Sequence, residues 1–126
     1  MQLPPSRSKQ VVLVVDDEDQ IRTMLVTHLT CCGFEVIEAG SADHALRVMH
    51  GRCDIREVVT DIQMPGSIDG LALAHLLRER DPGLALLISS GGVFPTDGEL
   101  PEGASFLHKP YRMSRLVAAL SALLGG

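Results

Sequence analysis

Three aspartates, two serines and a lysine stand at the ends of four apolar or strand-like stretches, and their types suit one kind of chemistry. Val11 to Val15 leads into Asp16-Asp17, Val58-Val59-Thr60 into Asp61, Leu84 to Ile88 into Ser89-Ser90, and Ser105 to His108 into Lys109. Three carboxylates brought together would repel one another unless part of their charge were neutralised. Oxygen ligands at that density suit a hard divalent cation, and Mg2+ is the usual choice where a phosphate also binds. The formal charges balance only with such an ion, because three aspartates then face a doubly charged metal and the ammonium of Lys109. A carboxylate beside the cation can attack phosphorus and carry the phosphoryl group as an acyl phosphate. That chemistry asks the protein mainly for positioning and charge neutralisation. Lys109 can meet one phosphoryl oxygen as a point charge, and a serine hydroxyl can donate to another.

These groups meet only if the chain folds so that the ends of its strands share one edge. The apolar periodicity supplies such a fold. Strands are expected at Val11 to Val15, Phe34 to Glu38, Ile55 to Thr60, Leu84 to Ile88 and Ser105 to His108. Between them, helical spacing of Ile21, Met24, Leu25 and Leu29 predicts a helix from about Asp19 to Cys32, stopped by Gly33. Ser41 is a candidate N-cap for a second helix, through His50, that buries Ala45, Leu46 and Met49. A third, Leu71 to Arg80, turns Leu73, Leu76 and Leu77 inward, and a last one from Arg112 to Leu124 carries Met113, Leu116, Val117, Leu120 and Leu124 on one face. Strand and helix in alternation imply right-handed crossovers and a parallel sheet covered on both faces. In such a sheet the carboxyl ends of the strands open on one crevice. The rhythm breaks at Gly91 to Ala104, where Pro95, Gly98, Pro101 and Gly103 predict a short or irregular fourth helix.

Composition narrows the classes. A chain of 126 residues suits one domain, and its net charge of -5 argues against nucleic-acid binding by the domain as a whole. No apolar run is long enough to span a bilayer and no signal stretch opens the chain, so a cytoplasmic protein is expected. Cys31, Cys32 and Cys53 have neither disulfide nor zinc spacing and read as reduced thiols in core or helix positions. His28, His44, His50, His75 and His108 are scattered without metal-ligand spacing. Residues 1–10 read as a mobile tail and residues 11–124 as a single domain, with no output segment after Gly125-Gly126.

Asp16-Asp17, Asp61 with Met64-Pro65 and Asp69-Gly70 after it, Ser90-Gly91 and Lys109-Pro110 form an ordered set that resembles the receiver domain of two-component response regulators. The resemblance runs from about Val11 to Leu124. It implies an α/β, flavodoxin-like, doubly wound sheet of five parallel strands in the order 2-1-3-4-5, the order for which a chemotaxis receiver is a standard example. It implies that Asp61 accepts phosphate from a sensor histidine kinase or a histidine phosphotransfer protein. Asp17, Asp61 and the backbone carbonyl of Gln63 would bind Mg2+, with Mn2+ as the alternative, and Asp16 would act through a metal-bound water. Ser90 would be the switch hydroxyl, preferred to Ser89 because the small Gly91 follows it. Lys109 would contact the phosphate across a cis Lys109-Pro110 peptide, and Phe106 would stand at the aromatic switch position without a phenol. Gln63 and Gly92 fall where similar domains tune phosphate loss.

The loop from Asp61 to Gly70 is one residue longer than the common form, and the segment from Ser90 to Lys109 is shorter. Each feature alone has a plainer reading: Asp16-Asp17 could simply favour a helix N-terminus. The rival functions are a phosphorelay intermediate, a fragment of a larger regulator or hybrid kinase, a pure binding module and an aspartyl-nucleophile phosphatase. The phosphatase usually needs a second Asp at the position of Gln63. The expected role is a phospho-acceptor rather than an enzyme on metabolites. It would switch contacts with a protein target, or a homodimer, upon phosphorylation, with no direct nucleic-acid or membrane partner.

Overall fold

The computed structural model describes residues 10–92 and 95–124. Strands β1 (Val11–Val15), β2 (Glu35–Ala39), β3 (Ile55–Asp61), β4 (Ala85–Ser90) and β5 (Ser105–His108) form one sheet in the order β2-β1-β3-β4-β5. All neighbouring pairs are parallel. Helices α1 (Asp19–Cys31), α2 (Ala42–His50) and α3 (Gly70–Arg80) make the first three crossovers, α4 (Met113–Leu123) follows β5, and together they cover both faces. The flavodoxin-like fold and strand order are those expected. Between β4 and β5 the described residues hold only a 3-10 turn, Asp97–Glu99, where the prolines forbid a regular helix.

Alternate side chains of the sheet feed two cores. Leu13, Val58, Leu86 and Ile88 pack with Ala45, Leu73, Ala74 and Leu77 on the α2 and α3 side. Val12, Val14, Val59 and Leu87 pack with Leu25, Leu29, Leu116 and Leu120 on the α1 and α4 side. β1, buried along its whole length, reads as a continuous run of Val and Leu for this reason. Ser41 caps α2 by accepting the His44 N–H at 3.1 Å, as its sequence predicts.

Several side chains differ from the sequence reading. Met24 is 57% exposed, because Leu25 and Leu29 alone make the buried stripe of α1. On α3, Ala74 takes the inward place and Leu76, 39% exposed, faces a cleft against Leu46 and His50 of α2. Leu124 is exposed just past the end of α4. Phe34 precedes β2, its N–H closing onto Leu29 O at 3.1 Å after Gly33 turns at φ +99°. None of the three cysteines fills a core position: Cys31, Cys32 and Cys53 are all exposed, and Cys53 lies in the loop before β3. The tail expected over residues 1–10 lies outside the described residues except for Gln10, whose carbonyl already accepts Glu35 N–H at 2.9 Å. The chain end at Gly125-Gly126 lies outside them too. Among the described residues, no helix is long and apolar enough to cross a membrane.

Candidate functional site

The carboxyl edge of the sheet brings the acidic residues together. Asp16 follows β1, and its N–H donates to Ala39 O at 3.1 Å, continuing the ladder for one more residue. Its own carboxylate caps the turn by accepting Glu18 N–H at 2.9 Å. Arg22, on the first turns of α1, clamps this corner. It donates to the Asp16 carbonyl at 2.7 Å, to Glu38 at 2.9 Å and to Asp19 at 2.7 Å. The sequence gives no sign of that role, because the three acceptors are scattered along the chain.

Asp61 ends β3. One carboxylate oxygen from each of Asp16, Asp17 and Asp61 lies within 4.8 Å of the others, with Asp16 and Asp61 buried and Asp17 exposed. Lys109 Nζ stands 3.5 Å from Asp16 Oδ2 and 3.6 Å from Asp61 Oδ2. The Lys109-Pro110 peptide is cis, as the family resemblance implies. The other oxygen of Asp61, Oδ1, is buried and has no hydrogen-bond partner among the described residues. A buried acceptor without a donor is costly, and a cation held by the three carboxylates would satisfy it. The donor set, all hard oxygens, fits Mg2+.

Burial pushes the Asp61 carboxyl pKa upward; Lys109 opposes the shift, and Asp16 and then Asp17 add to it. The ionised form of Asp61 is therefore disfavoured by the fold, and wherever that form is populated it subtracts from stability. Asp61→Asn is expected to raise the melting temperature of the metal-free protein by a few degrees, on the order of 1 kcal/mol. Thermal unfolding in EDTA checks this; an unchanged or lower value would mean that the Lys109 contact outweighs burial and the two aspartates.

The serines divide between the faces of the sheet. Parallel pairing sets Ser89, not Ser90, in register with Asp61, so Ser89 shares the face that Asp61 uses. Ile62 N–H donates to Ser89 O at 2.9 Å, locking the register. Ser90, the residue preferred from the sequence, leaves on the other face and donates to Gln63 Oε1 at 3.2 Å. A neighbouring small residue cannot reveal register, which is why Gly91 misdirects the choice. Gly92 N–H in turn donates to Ser90 Oγ at 3.3 Å, and a Cβ on Gly92 would stand 3.0 Å from Gln63 Nε2. Phe106 packs on the α2 and α3 core, away from the carboxylates.

Tyr111 is the residue that sequence reasoning passed over. Burial lifts its phenol pKa to about 12, aided by Asp16 and Asp61, and a hydrogen-bonding contact with Ser89 works against the rise.

Comparison with known proteins agrees with this arrangement. The family model described as the response regulator receiver domain matches residues 12–121. A response regulator receiver protein from Sinorhizobium medicae superposes with a TM-score of 0.82 at 29% identity, covering 94% of this chain and 96% of that one. The response regulator TrrA of Thermotoga maritima, solved in complex with Mg(2+)-BeF, gives a TM-score of 0.80 at 25% identity over 90% of this chain and 98% of that one. YrkP of Bacillus subtilis, named an uncharacterized transcriptional regulatory protein, is 33% identical over 115 residues, 90% of this chain and 48% of that protein. The chain spans about half the length of such curated relatives, or about a quarter in others.

Proposed function

The chain belongs to the response regulator receiver family, and from that premise we propose that Asp61 is its phospho-acceptor. The observation that carries the reading is the orphaned, buried Oδ1 of Asp61 beside two further carboxylates and Lys109. One oxygen of Asp61 attacks the phosphorus of a phosphohistidine on a sensor kinase or phosphotransfer protein, or of a small acyl phosphate. The bond from phosphorus to the donor nitrogen or oxygen breaks, and its electron pair leaves with the imidazole or carboxylate. Asp17, Asp61 and the Gln63 carbonyl are proposed to hold Mg2+, with Asp16 acting through water; Mn2+ is the alternative. Once bound, the ion supplies positive charge against the carboxylates and the incoming phosphoryl oxygens.

Lys109, already between Asp16 and Asp61, turns to the phosphoryl group as a fixed point charge. Ser89 stands where its hydroxyl can donate to a phosphoryl oxygen. Ser90 donates to the Gln63 amide oxygen at 3.2 Å and so holds that side chain in place. Loss of phosphate by the protein itself is then the only hydrolysis proposed. Phe106 would report the change to the β4–β5 face by packing alone. The output is a change in protein contacts, made by this domain alone, by a homodimer or by a longer regulator.

Acetyl phosphate with Mg2+ is expected to add one phosphoryl group per chain by intact mass, and none in EDTA. Absence of the gain with Mg2+ would favour a pure binding module.

A further inference from the structure

The turn at Asp16 and Asp17 carries two of the three clustered carboxylates, and β2 holds its backbone from two directions. On one side the Asp16 N–H donates to Ala39 O at 3.1 Å. On the other, Arg22 Nη1 donates to the Asp16 carbonyl at 2.7 Å, while its Nε donates at 2.9 Å to Glu38, the residue before Ala39 on the same strand. The remaining nitrogen, Nη2, donates to Asp19 at 2.7 Å. A guanidinium is a rigid planar fork, so bonds to three separate segments leave it one position. The Asp16 carbonyl lies in the peptide plane that leads into Asp17, and holding that oxygen therefore sets where Asp17 begins. The Asp17 side chain has no such hold of its own. It is exposed and makes no hydrogen bond or ion pair among the described residues.

We propose that Arg22 is a positioning residue for the metal ligands: by tying the Asp16 carbonyl to Glu38 it presets Asp17 beside Asp16 and Asp61, and so sets the affinity of the site for Mg2+. The inference rests on the reading of Asp16, Asp17 and Asp61 as the Mg2+ site. Two effects of the guanidinium on that affinity have opposite signs. Its positive charge near three carboxylates weakens their pull on a cation, so by Coulomb's law alone its removal would tighten binding. Its hydrogen bonds hold the ligand-bearing turn in one conformation. Without them the ion must order that turn as it binds, and binding weakens. The charge is already answered by Asp19 and Glu38, the two acids with which Arg22 pairs, so the second effect dominates. Groups that orient metal ligands change metal affinity by about 10-fold to 100-fold. Glu38, a half-exposed acid on the edge strand, thereby acts on a metal it does not touch.

Calorimetric titration of the full chain with Mg2+ alone measures the affinity, and thermal unfolding in EDTA follows stability apart from the metal. Arg22→Ala is expected to bind Mg2+ about 10-fold more weakly than the wild type. Arg22→Lys returns the charge without the planar fork and should not restore the affinity. Glu38→Ala should weaken binding in the wild type but add little to Arg22→Ala, because both act through one contact. A loss that came from the charge of Glu38 alone would instead persist in the Arg22→Ala protein. Equal or tighter Mg2+ binding by Arg22→Ala, or a lower melting temperature with the affinity unchanged, would overturn the inference alone. Full restoration by Arg22→Lys, or a Glu38→Ala loss that adds in full to that of Arg22→Ala, would do the same. A wild type that binds no Mg2+ would overturn the metal-site reading and this inference together.

Discussion

Replacing Glu57 by Leu is expected to stabilise the protein by about 3 kcal/mol at pH 8 and by much less at pH 5. Glu57 lies in the middle of β3, 0% exposed, and neither carboxylate oxygen has a hydrogen-bond partner among the described residues. Burial lifts its pKa from 4.5 to about 7. A carboxyl whose pKa is raised by folding holds its proton in the folded state after the unfolded chain has released it. Stability therefore falls as pH rises from about 4.5 to about 7, and the full cost is present above that window. Leu fills a similar volume without a charge or an unpaired acceptor, so the difference between variant and wild type should grow across the same window. Urea unfolding of both proteins at the two pH values measures it. A gain that does not depend on pH, or no gain, would show that Glu57 is not titrating in a closed core.

The second large effect runs the other way. Gly70→Ala is expected to destabilise the fold by about 3 kcal/mol and to remove phosphoryl acceptance with it. Gly70 opens α3 directly over the end of β3, where its N–H donates to Ile62 O at 2.9 Å. A Cβ there would overlap the Asp61 carbonyl oxygen and stand 2.9 Å from Thr60 Oγ1. Backbone cannot turn aside as a side-chain tip can, so the end of β3 has to move, and Asp61 moves with it. Asp69 caps the helix by accepting Ala72 N–H at 2.9 Å, which fixes the helix start and leaves the clash no escape. Thermal unfolding and intact mass after acetyl phosphate treatment test both halves. A variant that melts like the wild type and still takes the phosphoryl group would mean the approach is looser than this.

Such close approaches explain which parts of the molecule could be read from sequence. β1 begins and ends where its apolar run does, since a strand buried between helices needs little else. The breakdown of a helix after β4 was equally plain, because Pro acts on the backbone locally. Asp61, Asp16-Asp17 and Lys109 could be placed together from their positions at strand ends, without any contact being visible. What escaped depends on register. A bulge between Val11 and Val12 pairs Val12 with Glu57 and skips Arg56, turning the acid into the core and the base outward. The pairing of Asp61 with Ser89 escaped for the same reason, and with it the reach of Tyr111 to that serine. Local composition does not encode a one-residue choice between neighbours. Met24 and Leu76 show a further limit: helical spacing marks a face, but the width of that face is set by what packs against it.

The most direct test of the account is to locate the phosphoryl group by chemistry. Reduction of an acyl phosphate with borohydride converts the aspartate that carries it into homoserine. After treatment with acetyl phosphate and Mg2+, the reduced residue is expected at Asp61 and nowhere else, and Asp61→Asn should yield none. Homoserine at Asp16 or Asp17, or a label that persists in the Asp61→Asn protein, would contradict the assignment of Asp61 as the acceptor.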